Sequence, residues 1–265
     1  MTGVQTCALP ICLFRMRGRP MLTLNYPDTS RLVNINADFI SFESESEIGY
    51  ADGNVIIKQM DTDAKSERAI MYSDKNILVL LGSAVAKRRE SEITGDTLIF
   101  FSDEKELVRL FAQGNAKGHF KELSKEDSTQ YDLSDLKAKE IEFNFEDGVL
   151  DNIKAAGQAY SYYNPATLDS SDIEENHISG DSIRMFLKNE ELNSIEVIGG
   201  AEGKYLMGEY KYSDSGQYYN EDTVSYSSDS IFYLPEDSTI SMISNASVND
   251  AKVSLTAATD RKSVV

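Results

Sequence analysis

The sequence predicts an all-β chain: one long sheet of bent antiparallel strands, folded about an apolar interior and built from about six repeats. Three observations predict it. Helical periodicity is almost absent, while short β-rich runs alternate with Asp, Gly, Ser and Asn clusters, as strands alternate with turns. Two short phrases recur as linked pairs along the chain. The first of them carries a one-residue slip in its apolar pattern that a straight strand would not need.

The opening phrase is clearest as Ile35-Asn36-Ala37-Asp38-Phe39-Ile40-Ser41-Phe42. It returns as Ile93-Thr94-Gly95-Asp96-Thr97-Leu98-Ile99-Phe100, as Leu136-Lys137-Ala138-Lys139-Glu140-Ile141-Glu142-Phe143 and as Ile178-Ser179-Gly180-Asp181-Ser182-Ile183-Arg184-Met185. Weaker copies begin at Ser66 and Tyr226. Apolar or small residues stand at steps of two, three and two, as in Ile35, Ala37, Ile40 and Phe42. The step of three lets a bulge or kink bend the strand while both halves keep their apolar side toward one interior. A small residue occupies the kink (Ala37, Gly95, Ala138, Gly180, Ser228). The acid after it (Asp38, Asp96, Glu140, Asp181, Asp229) is placed to accept hydrogen bonds from corner backbone N–H groups.

The closing phrase reads Ala51-Asp52-Gly53-Asn54-Val55, Leu81-Gly82-Ser83-Ala84, Gln113-Gly114-Asn115-Ala116, Ala156-Gly157-Gln158-Ala159, Ile198-Gly199-Gly200-Ala201 and Ile243-Ser244-Asn245-Ala246. Its copies lie roughly 29 to 45 residues apart, the spacing of a stacked array. Each unit is then two bent strands joined by a turn, as at 43–46, 102–106 or 188–191, with longer turns expected at 161–177 and 205–221. Stacked at about 4.8 Å per strand, such units make a long folded sheet with an apolar slot inside.

Composition excludes several function classes. A net charge of −18 over 265 residues argues against nucleic acid and against docking on an anionic membrane through a basic patch. The Lys87-Arg88-Arg89 cluster is too short to reverse that balance. No stretch approaches the run of about 18 apolar residues that a membrane-spanning helix needs. The ends read as adapter-derived scars, 1–12 and 260–265, so Cys7 and Cys12 fall in or beside a scar and the remaining chain has no disulfide framework or thiolate metal site. A genuine short apolar N-terminus is the other reading of the first segment.

From about residue 33 to 248 the two phrases, I-x-A/G-D-x-I-x-F and G-N/Q-A, resemble those of the organic-solvent-tolerance (OstA-like) family. That family includes the lipopolysaccharide-transport proteins LptA, LptC and the periplasmic domain of LptD. The resemblance is most specific across 80–120 and 135–205, as in Ile93–Phe100 followed by Leu107–Ala116. It implies an elongated β-jellyroll, or β-taco, over 22–258, with 22–125 and 126–258 as candidate sub-units. It also implies a periplasmic protein whose slot carries the acyl chains of lipid A, and whose exposed edge strands pair end to end with other OstA-like proteins. Two placements stay open: a free-standing periplasmic bridge, or the front part of an outer-membrane protein whose barrel lies beyond the end.

The candidate lipid-slot residues are Ile35, Ile40, Phe42, Val55, Leu98, Phe100, Leu110, Ile141, Phe143, Ile153, Ile183, Met185, Ile195 and Val197. Each buried methylene of an acyl chain is worth about 0.8 kcal/mol, so several long tails call for a long apolar slot rather than polar grips. A closed core is the alternative use of the same residues. No catalytic, cofactor or metal site is expected. The repeated acids share one offset, which serves architecture rather than a single active site. His119 and His177 lack metal-ligand spacing and are expected in loops or turns. Gly199–Gly203 is followed by strand rather than helix, so it is no dinucleotide loop. Tyr160, Tyr162, Tyr163 and Tyr218-Tyr219 are expected in cross-strand packing, with sugar stacking as the alternative. The acidic run 169–175 is expected to be a solvated loop. The rival function classes are a β-solenoid adhesin or surface interaction domain, and a β-helix enzyme acting on polysaccharide.

Overall fold

The structure is a computed structural model that describes residues 13–26, 31–59, 62–103, 106–124, 129–166, 172–188, 191–213, 216–234, 239–251, 254–257 and 262–264. The described residues form eighteen strands in one sheet. In order these are β1 (Leu13–Arg17), β2 (Met21–Tyr26), β3 (Arg31–Asn36), β4 (Phe39–Glu43), β5 (Ile48–Gln59), β6 (Thr62–Tyr72), β7 (Ile77–Arg88), β8 (Ser91–Ser102) and β9 (Leu107–Leu123). They continue as β10 (Tyr131–Glu146), β11 (Val149–Asn164), β12 (Ile173–Lys188), β13 (Glu191–Ser213), β14 (Gly216–Leu234), β15 (Thr239–Ile243), β16 (Ala246–Asn249), β17 (Ser254–Ala257) and β18 (Lys262–Val264).

From β5 to β14 each strand pairs antiparallel with the next, a plain meander. At the two ends, single bent strands are cut at the bend. β3 and β4 both pair with β5, and β15 and β16 both pair with β14. β1 and β2 form the next row outward, on β4 and β3. β17 and β18 do the same on β16 and β15, so residues 262–264 add a strand to the sheet. The pairings of the described residues are thus antiparallel throughout, which is not the architecture of parallel solenoid rungs.

The bends fall on the repeated phrases. In the closing strand two consecutive residues take positive φ: Gly53 and Asn54, Gly82 and Ser83, Gly114 and Asn115, Gly157 and Gln158, Gly199 and Gly200, Ser244 and Asn245. At Asp52/Val55, for example, β5 spends two residues where β6 spends one, which is a β-bulge. The extra residue therefore lies in the closing strand, and the opening strand turns beside it. Gly18 and Arg19 (φ 84 and 60) add a seventh bend between β1 and β2, ahead of the first copy read from sequence.

Burial follows the slip. Across the opening bend both members of the step of three are buried in Ala37 and Ile40, Ser66 and Ala69, Gly95 and Leu98, and Ser228 and Ile231. Across the closing bend the inward residues are four apart: Ala51 and Val55, Leu80 and Ala84, Ala112 and Ala116, Ala155 and Ala159, Val197 and Ala201, Met242 and Ala246. Three against four is the one-residue difference that keeps both arms of every strand facing inward. Alanine is frequent here because the two arms converge at the bend and leave little width.

The residue after each kink packs over the glycine of the following closing strand. The Asp38, Glu67, Asp96 and Asp181 side chains cover Gly53, Gly82, Gly114 and Gly199, so closely that a Cβ at any of these glycines would collide. Asn54 donates to Asp38 at 2.8 Å, Asn115 to Asp96 at 3.4 Å and Asn245 to Asp229 at 3.1 Å. The Asp38 and Asp229 backbone N–H groups donate to the Gly53 and Ser244 carbonyls at 2.8 and 3.0 Å. The acids thus clip the bend mainly through amide side chains rather than backbone N–H groups. In the third full copy Lys139, not Glu140, occupies this position over Gly157, and Glu140 accepts from Gln113 at 3.3 Å. Where serine replaces the small residue, its hydroxyl donates to the carbonyl two residues on: Ser66 to Arg68 at 2.9 Å and Ser228 to Ser230 at 2.6 Å.

Two expected turns differ. The described residues of 205–221 extend β13 and β14 as paired strands rather than a long turn, from Tyr205 opposite Val224 to Ser213 opposite Gly216. The glycines on it are covered by aromatic rings, Tyr226 over Gly203 and Tyr219 over Gly208, so this ribbon is packed rather than bare. In the segment 161–177, β11 runs on to Asn164 and β12 starts at Ile173. Residues 167–171 lie outside the described set, as do 104–105 and 189–190 within the expected short turns.

Candidate functional site

The candidate site is the interior between the two arms. Its buried residues form the floor and its half-buried residues the rim. Nine of the fourteen sequence-derived residues sit on the floor: Ile40, Val55, Leu98, Leu110, Ile141, Phe143, Ile153, Ile183 and Val197, each 7% exposed or less. Ile35, Phe100, Met185 and Ile195 are half-buried and pack against that core. Phe42 is also half-buried, but it lies against Gly49 near the sheet edge rather than on the core. Leu22, Val33, Leu78, Ile93, Leu187 and Ile240 extend the half-buried rim. Stacked at about 4.8 Å per row, the fourteen rows of strands make this interior on the order of 60 Å long.

Residues outside the repeated phrases shape the interior as well. Phe120, on one arm, meets Phe143, on the other, edge to face with ring centroids 6.0 Å apart. Its ring folds over Gly118, where a Cβ would sit 2.7 Å from it. Further along, Tyr205 donates to Glu174 at 2.6 Å and Tyr226 donates to Asn176 at 2.9 Å. Burial raises the Tyr205 phenol above its ordinary value of 10.0, reinforced by the hydrogen bond to Glu174. Burial pushes Tyr226 up to about 12.

The outer face is polar. His119 and His177 are not loop residues: both lie within strands, β9 and β12. His119 Nδ1 is 2.7 Å from Asp135. His177 bridges Tyr160 at 2.7 Å and Glu175 at 3.2 Å, and Tyr162 packs on its ring at 4.9 Å. The tyrosines here thus pack across strands, on histidine. Of the acidic run 169–175, Glu174 and Glu175 are strand residues with tyrosine partners rather than loop residues. Cross-strand ion pairs such as Arg184–Glu196 at 3.2 Å continue this face. Among the described residues no group of three His, Cys, Asp or Glu side chains is placed to hold a metal.

Sheet, bends and interior together define an elongated β-jellyroll: antiparallel strands folded lengthwise, with apolar arms facing one another. Among solved structures the chain is similar to LptH of Pseudomonas aeruginosa, described as the LptA-homologous periplasmic component of the conserved lipopolysaccharide transport device. The match has 11% identity, covers 77% of this chain and 94% of that one, and has a TM-score of 0.29. No family model matches the sequence, and no curated protein does.

Proposed function

We propose that the chain is a non-catalytic periplasmic scaffold that carries lipopolysaccharide toward the outer membrane, holding its acyl chains along the interior of the folded sheet. The observation that supports this reading is the set of half-buried apolar residues packed along the sheet against a buried apolar core. The floor, with Leu98, Ile141, Ile183 and Val197, gives the sheet its stability. The half-buried rim, with Ile35, Phe100, Met185 and Ile195, is the part assigned to the chains, at about 0.8 kcal/mol per methylene. The proposed body is the elongated unit 22–258, extended in the sheet by β1 on β4 and by β18 on β15. Its terminal rows present strand edges with exposed Leu13, Phe14 and Met21 at one end and Leu255 at the other, suited to pairing with OstA-like partners.

Lipid extraction of the purified chain followed by mass spectrometry tests the reading. Co-purified lipopolysaccharide is the expected result. A bound glycan, or no lipid after expression in cells that make lipopolysaccharide, would overturn it.

A further inference from the structure

The interior changes character along its length. Around β7 to β9 both arms are apolar, with Ala84, Ala86 and Ala116 opposite Leu80, Leu98 and Leu110. Beyond the Phe120–Phe143 contact one arm turns polar. It presents Ser161 on β11, Glu174 and Asn176 on β12, Tyr205 on β13 and Tyr226 on β14. The register fixes these as inward. Tyr226 pairs with Gly203, which pairs with the buried Ile178, and Tyr205 pairs with Asn176. With no side chain at Gly203, the Tyr226 ring lies across β13 and reaches Asn176 two strands away. The opposite arm is mainly apolar, with Ile153, Met185, Ile195 and Ile231, and carries beside Ile195 the Tyr233 phenol, whose pKa is raised by burial and by Glu174. This stretch of the interior is therefore two-faced, one wall mainly of hydrocarbon and one rich in hydrogen-bonding groups. Glu174, Asn176 and Tyr205 are only half-buried and can be reached from the rim.

The polar wall has a chemical preference. Tyr205 and Tyr226 already direct their protons to Glu174 and Asn176. The capacity that remains is the acceptor capacity of the phenol oxygens and the rest of the Glu174 carboxylate, with the Asn176 side-chain N–H groups as donors beside them. Such a wall takes donors and, being anionic, rejects phosphate. We infer that Glu174, Asn176, Tyr205 and Tyr226 form a subsite for hydroxyl or amide N–H groups borne on acyl chains, whose methylenes lie on Met185, Ile195 and Ile231. This subsite rests on the lipid-carrying reading and selects among lipids rather than creating affinity for them.

The test compares two uncharged probes, methyl myristate and methyl 3-hydroxymyristate, as competitors of a fluorescent fatty-acyl reporter on the full chain. The wild type is expected to favour the hydroxylated probe by about three- to tenfold, the range of one net hydrogen bond. Glu174→Leu with Tyr205→Phe and Tyr226→Phe, which removes the carboxylate and phenol acceptors together, is expected to bring the ratio toward one without lowering methyl myristate affinity, with the fold intact by circular dichroism. Equal binding of the two probes by the wild type, or a preference that survives the triple substitution undiminished, would overturn the subsite and leave the lipid reading standing. Failure to bind either probe would overturn the lipid reading itself.

Discussion

Phe120 and Phe143 come from opposite arms of the folded sheet and touch edge to face, 6.0 Å between centroids. The contact joins the two walls midway along the interior, where the polar wall begins. An aromatic pair adds about 0.5–1.5 kcal/mol beyond the area it buries. Phe120→Ala is therefore expected to lower stability by roughly 2–3 kcal/mol in urea unfolding, somewhat less than a fully buried Phe→Ala. A change under about 0.5 kcal/mol would mean that the rings do not hold the arms together.

The acid-over-glycine clip predicts a coupled pair. Gly114 has φ +74 and lies under the Asp96 side chain, so an added methyl group meets both backbone strain and a collision. Gly114→Ala is expected to cost about 2–3 kcal/mol. In the Asp96→Ala background the collision is gone and only the strain remains, so the same change should cost about 1–2 kcal/mol. Thermal melts of the two single variants and the double variant check this; strict additivity would contradict the clip.

The last bend departs from the others by placing Ser244, φ +59, where glycine stands elsewhere. A serine in the left-handed region carries a strain of about 1–2 kcal/mol that glycine lacks, partly offset by glycine's greater freedom when unfolded. Ser244→Gly is expected to stabilise the chain by about 0.5–1 kcal/mol in the same melts. Destabilisation would mean that the serine makes a contact worth more than its strain.

Alkaline pH should weaken the C-terminal half of the interior. Burial holds the folded-state value for Tyr226 at about 12, above the ordinary 10.0. Its neutral form is therefore favoured by the fold. That contribution is fully present below pH 10 and is lost as pH rises through about 12, and it is on the order of 2 kcal/mol. Urea midpoints at pH 8 and pH 11.5 are expected to diverge less for Tyr226→Phe than for the wild type. Equal divergence would place the alkaline sensitivity elsewhere.

The bends were the most legible part of the sequence. Glycine followed by a polar residue, and a three-residue step beside a small residue, are local requirements of a turned backbone, so they repeat visibly. The bend at Gly18 and Arg19 was missed because Met16, Pro20 and the basic residues around it disguise the phrase. Floor residues such as Leu98 and Ile183 were readable for the same reason as the bends, since they flank the kink at a fixed offset. Phe120, Tyr205 and Tyr226 were not readable. They lie on arms where the repeat has drifted, and what places them inward is pairing register with strands far away in sequence. The histidines were misplaced because a polar residue on the outer face of a strand has the same local surroundings as one in a turn. Lys139 is not legible from the repeated acid, because the position over Gly157 requires only a side chain able to cover glycine.

The proposal that the interior carries lipid is tested most directly by a photo-crosslinking residue placed at Met185, on the inward rim, and separately at Arg184, which pairs with Glu196 on the outer face. In cells making lipopolysaccharide, the adduct is expected at position 185 and absent at position 184. Adducts at 184 alone, or at neither position with both variants folded, would contradict a slot that holds acyl chains.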